Sequence, residues 1–229
     1  MNELALFAGA GGGLLASHLL GHNIVCAVER DEYCIEVLVQ RQNERTLPPF
    51  PIWDDICTFD GRSWRGTVDL VSGGFPCQAF SSAARGRNIA KKDLWGEMRR
   101  VIREVEPRVV FAENVSERAI LQAQDDLLEL GYNSKYLKLS AKDVGADHER
   151  DRFWLLAYTD YYCQLCSAFN AETSIVQELR NSVWETFPGE LRVSDGMAFR
   201  MDRLKALGNG QVPLVAASAW CELHKAITG

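Results

Sequence analysis

Cys77 stands in Gly73-Gly74-Phe75-Pro76-Cys77-Gln78, just after the apolar run Val68 to Val71. A thiol beside a proline at the C-terminal end of a strand reads as a nucleophile held on a rim. A free cysteine ionises near pH 8.5, so it needs positive charge close by to act as a thiolate at neutrality. Arg150 and Arg152, in His148-Glu149-Arg150-Asp151-Arg152, are the candidate activators. Glu113 closes a second apolar run, Val109 to Ala112. A carboxyl withdrawn from water at such a position can keep its proton near neutral pH and donate it. Together these are the parts of covalent catalysis.

A second set of residues suits a nucleoside-containing cofactor. Phe7-Ala8-Gly9-Ala10-Gly11-Gly12 ends an apolar run, and Gly9, Gly11 and Gly12 let the backbone turn sharply and approach a ligand. No Lys-Ser or Lys-Thr follows, which disfavours a phosphate-cradling loop. About 20 residues on, Glu29 sits where an acid accepts hydrogen bonds from ribose hydroxyls. Asp55 and Ile56 come next, a carboxylate for an adenine amino group and an apolar side chain for the ring. Near the end, Gly208-Asn209 with Pro213 marks a turn.

These residues need elements to position them. The patterns predict a strand at Leu4 to Phe7, a helix at Leu14 to Leu20, a strand at Ile24 to Val28 and a helix at Tyr33 to Gln42, which is a βαβ opening. Val68 to Val71 and Val109 to Ala112 read as strands separated by a helix at Leu94 to Val105. Leu121 to Leu130 is amphipathic and stops at Gly131. Tyr136 to Leu139 and Phe153 to Tyr158 read as a late antiparallel pair at the sheet edge, and Val212 to Ile227 as a C-terminal helix packed back on the sheet. Alternation of this kind implies an α/β fold with a doubly wound, mostly parallel sheet, which binds ligands at the carboxyl ends of its strands. The glycines, Glu29, Asp55 and Cys77 would then converge on one rim.

The chain has 229 residues, enough for one substantial domain with a small appendage. Its apolar runs are short and broken by charge, so no segment suits a bilayer. Seven scattered cysteines without an export signal read as reduced thiols in a cytoplasmic protein. A net charge of −6 argues against nonspecific coating of nucleic acid. However, Cys77 to Arg103 carries seven bases and two acids, so that segment is +5 and the remainder −11. A basic stretch beside the thiol suits phosphate contacts or, equally, a solvated helix face with ion pairs. Cys163-Gln164-Leu165-Cys166 with Cys221-Glu222-Leu223-His224 offers four zinc ligands, with nothing else in the sequence to support a metal.

In their order along the chain, the glycine turn, Pro76-Cys77-Gln78, Glu113-Asn114-Val115 and Gly208-Asn209-Gly210-Gln211-Val212-Pro213 resemble the cytosine-C5 DNA methyltransferases. The resemblance implies S-adenosylmethionine as cofactor, ahead of NAD, held by Phe7, Gly9, Gly11, Gly12, Glu29, Asp55, Ile56 and Asn209. It implies that Cys77 adds to C6 of cytosine, that Glu113 is the partner of ring nitrogen N3, and that Arg150 and Arg152 assist. Double-stranded DNA is the implied partner, its target base flipped out to be reached. Pro76, Gln78, Ser81, Arg85, Arg87 and Asn114 would contact the substrate, Gln78 and Ser81 from a loop that closes over the base. His148 departs from the family pattern Gln-x-Arg-x-Arg. The resemblance assigns residues 1–159 to a catalytic domain, 160–191 to a reduced target-recognition region and 192–229 to a segment returning to the catalytic domain. So short a recognition region implies little sequence context, or contacts borrowed from a second subunit. Two rival readings are an RNA cytosine methyltransferase and a DNA-binding module of the same fold without catalysis. Pyrimidine hydroxymethylases also attack C6 with cysteine, but they need a folate pocket.

Overall fold

A computed structural model describes residues 1–76, 94–165 and 210–228, with backbone alone for 163–165. Its centre is a seven-stranded sheet of β1 (Asn2–Leu6), β2 (Asn23–Val28), β3 (Ile52–Trp53), β4 (Leu70–Gly74), β5 (Val109–Asn114), β6 (Asn133–Leu139) and β7 (Arg152–Tyr158). The order across the sheet is β3-β2-β1-β4-β5-β7-β6. Strands β1 to β5 pair in parallel, while β7 runs antiparallel to both β5 and β6. This is the mostly parallel, Rossmann-like α/β fold that the sequence pattern predicts. The late antiparallel pair forms too, with β6 on the edge and β7 inside. The two-residue β3 carries too little periodicity to be read from sequence.

Helices cover both faces. On one side lie α1 (Gly12–Leu19), α2 (Glu32–Asn43) and the C-terminal α6 (Pro213–Thr228); on the other lie α3 (Trp95–Val105) and α4 (Glu117–Glu129). A short α5 (Asp160–Leu165) follows β7. The period of two in each strand sorts side chains between these layers. Leu4 and Leu6 face α3 and α4, whereas Ala5 faces α1 and α2. In α3, Trp95, Met98, Val101, Ile102 and Val105 recur at helical spacing and are buried, each burial stabilising the fold by roughly 1.5–3 kcal/mol.

Strand β5 is buried along its whole length, because β4 and β7 flank it and helices cover both faces. Its last two residues, Glu113 and Asn114, are polar and still buried. The order in which strands are added reverses at β1, with β2 and β3 to one side and β4 and β5 to the other, a switch point that leaves a crevice at the carboxyl ends of β1 and β4. Helix α4 ends at Gly131, whose φ of 87° is the left-handed stop that the sequence predicts.

Candidate active-site rim

At the end of β1 the backbone turns abruptly. Phe7 has φ 53°, a conformation that costs a bulky L-residue about 1–2 kcal/mol and is concentrated at functional sites. The turn is held by Ala8 N–H donating to the Val28 carbonyl (3.1 Å) and Gly11 N–H donating to the Ala8 carbonyl (3.0 Å). Gly9 has φ 54°, and a side chain there would meet open space. Its N–H donates to Glu29 Oε2 at 2.6 Å, so the acid 20 residues on is fastened to the turn itself. The other Glu29 oxygen accepts from the Arg30 and Asp31 N–H groups at 2.8 and 2.7 Å.

The remaining glycines make room for the protein itself. A Cβ on Gly11 (φ 86°) would lie 2.7 Å from Leu38, and one on Gly12 would lie 2.0 Å from the Gln211 carbonyl oxygen. Asp55 accepts from the Cys57 N–H at 2.9 Å, which holds its carboxyl below the usual range, with help from nearby Arg30. Ile56 is buried in the large core cluster.

The other half of the rim follows β4 and β5. Burial pushes the Glu113 carboxyl above its ordinary range, against the pull of Arg152 first, then of the Gln211 amide and Arg150. Arg152 Nε donates to Glu113 Oε1 at 2.9 Å, and Gln211 Nε2 donates to Oε2 at 3.4 Å. Asn114 spends its amide inside the fold: Nδ2 donates to the Phe75 carbonyl (2.8 Å) and Oδ1 accepts from Ser116 N–H (2.9 Å). It thereby pins the chain two residues before Cys77. Phe75 also packs on Trp95, with ring centroids 4.9 Å apart, so the strand end leading into residues 77–93 touches the helix that follows them. Pro76 is half-buried at that exit.

Cys77, Gln78, Ser81, Arg85, Arg87 and Asn209 lie outside the described residues. The basic stretch from Cys77 to Arg103 divides in the structure. Arg99 pairs with Asp126 and Glu129, and Arg100 with Glu97, Glu104 and the carbonyls of Ile56 and Phe59. These two arginines tie α3 to its neighbours, which is the ion-paired helix face, the alternative to phosphate contact for this part of the stretch. The run from 148 to 151 lies before the strand. β7 begins only at Arg152, and His148 is exposed on the preceding loop. Arg150 reaches back instead, donating from its guanidinium to the Gly210 carbonyl at 2.6 Å.

Thus Phe7, Gly9, Glu29, Asp55, Glu113, Arg150 and Arg152 all stand on the carboxyl side of the sheet, and one cavity is bordered by Phe7, Gly9, Gly13, Gly74, Glu113 and Gln211. Gly13, Gly74 and Gln211 escaped the reading of the sequence, although Gln211 lies within a motif that it singled out. Open space at Gly9 and a carboxylate fastened beneath it fit the ribose of a nucleoside cofactor. Among the described residues no three His, Cys, Asp or Glu side chains gather as metal ligands, and no helix is long and apolar enough to cross a membrane. The side chains of Cys163 and Cys166 lie outside the described set.

Similarity to known proteins agrees with this architecture. The chain is 42% identical over 115 residues to the type II methyltransferase M.PspPI of a Psychrobacter species, covering 48% of this chain and 26% of that one. It is 30% identical over 197 residues to the type II methyltransferase M.SsoII of Shigella sonnei, covering 82% and 46%. The crystal structure of the Dnmt2 methyltransferase of S. pombe superposes with a TM-score of 0.55 at 23% identity, covering 69% of this chain and 51% of that one, which supports the fold. The chain therefore spans between about a quarter and a half of the length of these relatives. The model of the C-5 cytosine-specific DNA methylases matches residues 1–197, and it is to this family that the chain belongs.

Proposed function

We propose that the protein transfers a methyl group from S-adenosylmethionine to carbon 5 of cytosine in double-stranded DNA, through a transient bond between Cys77 and C6. The observation that carries this reading is the buried Glu113 carboxyl. It stands at the end of β5, paired with Arg152, on the same rim as the glycine turn and the strand end leading to Cys77.

Carbon 5 of cytosine is unreactive while the ring is aromatic. Addition of the Cys77 thiolate to C6 breaks the C5–C6 double bond, and the electron pair moves through the ring to N3. Glu113, whose hold on a proton burial strengthens, donates a proton or a strong hydrogen bond to N3. Arg152 then stabilises the carboxylate left behind. S-adenosylmethionine, held by the turn at Phe7 and Gly9 with Glu29 and Asp55, supplies the electrophilic methyl group that C5 takes up. Loss of the C5 proton to a base, return of the N3 proton to the Glu113 carboxylate and departure of the thiolate restore the aromatic ring and the free enzyme.

In this reading Gln78, Ser81, Arg85 and Arg87 contact the flipped nucleotide and its phosphates. Asn209 and Ile56 complete the cofactor side, which Gly11 and Gly12 serve by letting Leu38 and Gln211 pack behind the turn, while Pro76 and Asn114 fix the approach of Cys77. Residues 1–159 and 192–229 form the catalytic unit, and residues 160–191 contribute recognition, aided by a second subunit where that region is too small.

The test is transfer of tritium from labelled S-adenosylmethionine to duplex DNA. Wild type labels DNA, whereas Cys77→Ala does not. Absence of labelling of any DNA by wild type overturns the proposal in favour of a binding module, and labelling of RNA alone moves the substrate. Bisulfite sequencing of DNA from an expressing host reads the modified position and its context together.

A further inference from the structure

Gln211 is the side chain around which this end of the molecule is built. Its backbone carbonyl rests where a Cβ on Gly12 would be, 2.0 Å away. Its amide oxygen lies 2.4 Å from the position of a Cβ on Gly13, and its amide nitrogen 3.1 Å from that of a Cβ on Gly74. Two glycines of α1 therefore owe their lack of a side chain to one glutamine, and Gly74 on β4 leaves room first for Glu113 Oε2, 2.5 Å from its Cβ position, and then for the glutamine amide. The neighbouring Gly210 is fastened from the other side, because its carbonyl accepts from Arg150. A side chain enclosed in this way has little rotamer freedom left to lose.

The amide nitrogen of Gln211 points at Oε2 of Glu113, at 3.4 Å, while Arg152 takes Oε1 at 2.9 Å. We propose that Gln211 is a positioning residue for Glu113, gripping the carboxyl oxygen that Arg152 does not hold and so fixing the plane in which the carboxyl faces its substrate. The inference rests on the catalytic reading of Glu113 given above. A carboxyl held at one oxygen can swing about its last torsion, which is broad and roughly twofold. Held at both oxygens by donors on different elements, it cannot.

Both grips favour the ionised form, since each is a donor to a carboxylate oxygen. The charged and titratable groups facing Glu113 are Arg152 from β7 and Arg150 from the loop before it; His22, paired with Glu3, lines the inner end of the same cavity. On the β4 side the adjoining residue is Gly74, which is not titratable. Cys77 lies outside the described residues. With the arginines unchanged, removal of the amide leaves burial less opposed, and Glu113 must keep its proton to higher pH.

The experiment is a pH titration of the full-length protein carrying carbon-13 in its glutamate carboxyls, with the Glu113 signal assigned by its loss in Glu113→Gln. Gln211→Met preserves length and volume between the glycines while deleting the donor. Gly13→Ala leaves the glutamine in place but drives its amide aside with a Cβ. The expected result is a Glu113 midpoint at higher pH than wild type in both variants. A midpoint identical to wild type in the two variants overturns the proposal and leaves Gln211 as packing alone. Because the titration needs neither DNA nor methyl transfer, it reads out equally in a protein that labels no DNA, which keeps failure of this inference separate from failure of the catalytic reading.

Discussion

Glu29 follows β2 and Glu113 closes β5, parallel strands of one sheet with β1 and β4 between them, and both stand on its carboxyl side, yet their surroundings differ completely. Glu29 sits at the open half of the rim, where three backbone N–H groups donate to its two oxygens. Glu113 is only 6% exposed and is met by side chains alone, Arg152 and Gln211. Backbone donors are fixed dipoles that cannot follow a moving proton, so they suit a carboxylate that stays an acceptor. A buried carboxyl with one cation and one amide for company holds its proton more tightly than one in water, which suits proton donation. One residue type thus serves two halves of a site, and its neighbours decide which role it takes.

The contrast is broken most directly at Glu113. Glu113→Gln removes the exchangeable proton while keeping the shape, and the rate of tritium transfer in single-turnover assays is expected to fall by about 10²–10⁴-fold, the usual scale of general acid catalysis. Cofactor affinity measured by calorimetry should stay within a few-fold of wild type. A comparable loss of affinity in this variant would erase the distinction between the two halves.

Glu29→Gln is the complementary change. Its amide nitrogen would oppose one of the N–H donors, so S-adenosylmethionine is expected to bind about 10-fold or more weakly, because a hydrogen bond to a charged group contributes roughly 1.5–3 kcal/mol. The rate at saturating cofactor should change far less. A large fall in that rate with affinity unchanged would reverse the assignment.

The glycines sharpen the comparison through stability. Gly12→Ala sets a Cβ against the Gln211 backbone, which cannot move aside cheaply, and should cost about 2–3 kcal/mol in denaturant unfolding. Gly9→Ala meets open space and pays only for its left-handed φ, about 1 kcal/mol. Equal losses would mean that the turn, and not the packing of residue 211, dominates this corner.

The smallest expected effect is on pH dependence. The folded Glu113 holds its proton above the pH at which the unfolded chain releases it, so the native state binds more protons in that window. Stability therefore falls as pH rises from the ordinary carboxylate range through the folded value, and the loss persists above it. Glu113→Gln lacks this term. The melting temperature of the variant minus that of wild type should accordingly increase with pH across the window, and a difference independent of pH would contradict the raised proton affinity.

Much of the fold is legible in the residues. The lengths of Ile24 to Val28 and Leu94 to Val105, the stop at Gly131 and the spacing from the glycine turn to Glu29 all act within a few residues or between adjacent elements, where pattern and backbone geometry decide the outcome. The placement of Arg100 was not legible. A basic residue in a basic run reads as available to phosphate or to an ion pair along its helix, but two of its four acceptors are carbonyls of a loop more than 40 residues earlier. Nor does anything local reveal the contact between Gln211 and Gly13, although Gln211 lies within a marked motif, because it joins the first helix to the segment before the last.

What the sequence by itself determined is therefore the order of elements, the alternating architecture and the motifs that must meet on one rim, because hydrophobic period and turn chemistry are properties of short stretches. Only the tertiary structure decided that Glu113 is dry and doubly held while Glu29 is wired to the backbone, and that most of the glycines near the rim make room for protein instead of ligand. Burial and partnership depend on which distant segments pack over a strand end, and no window of neighbouring residues contains that information.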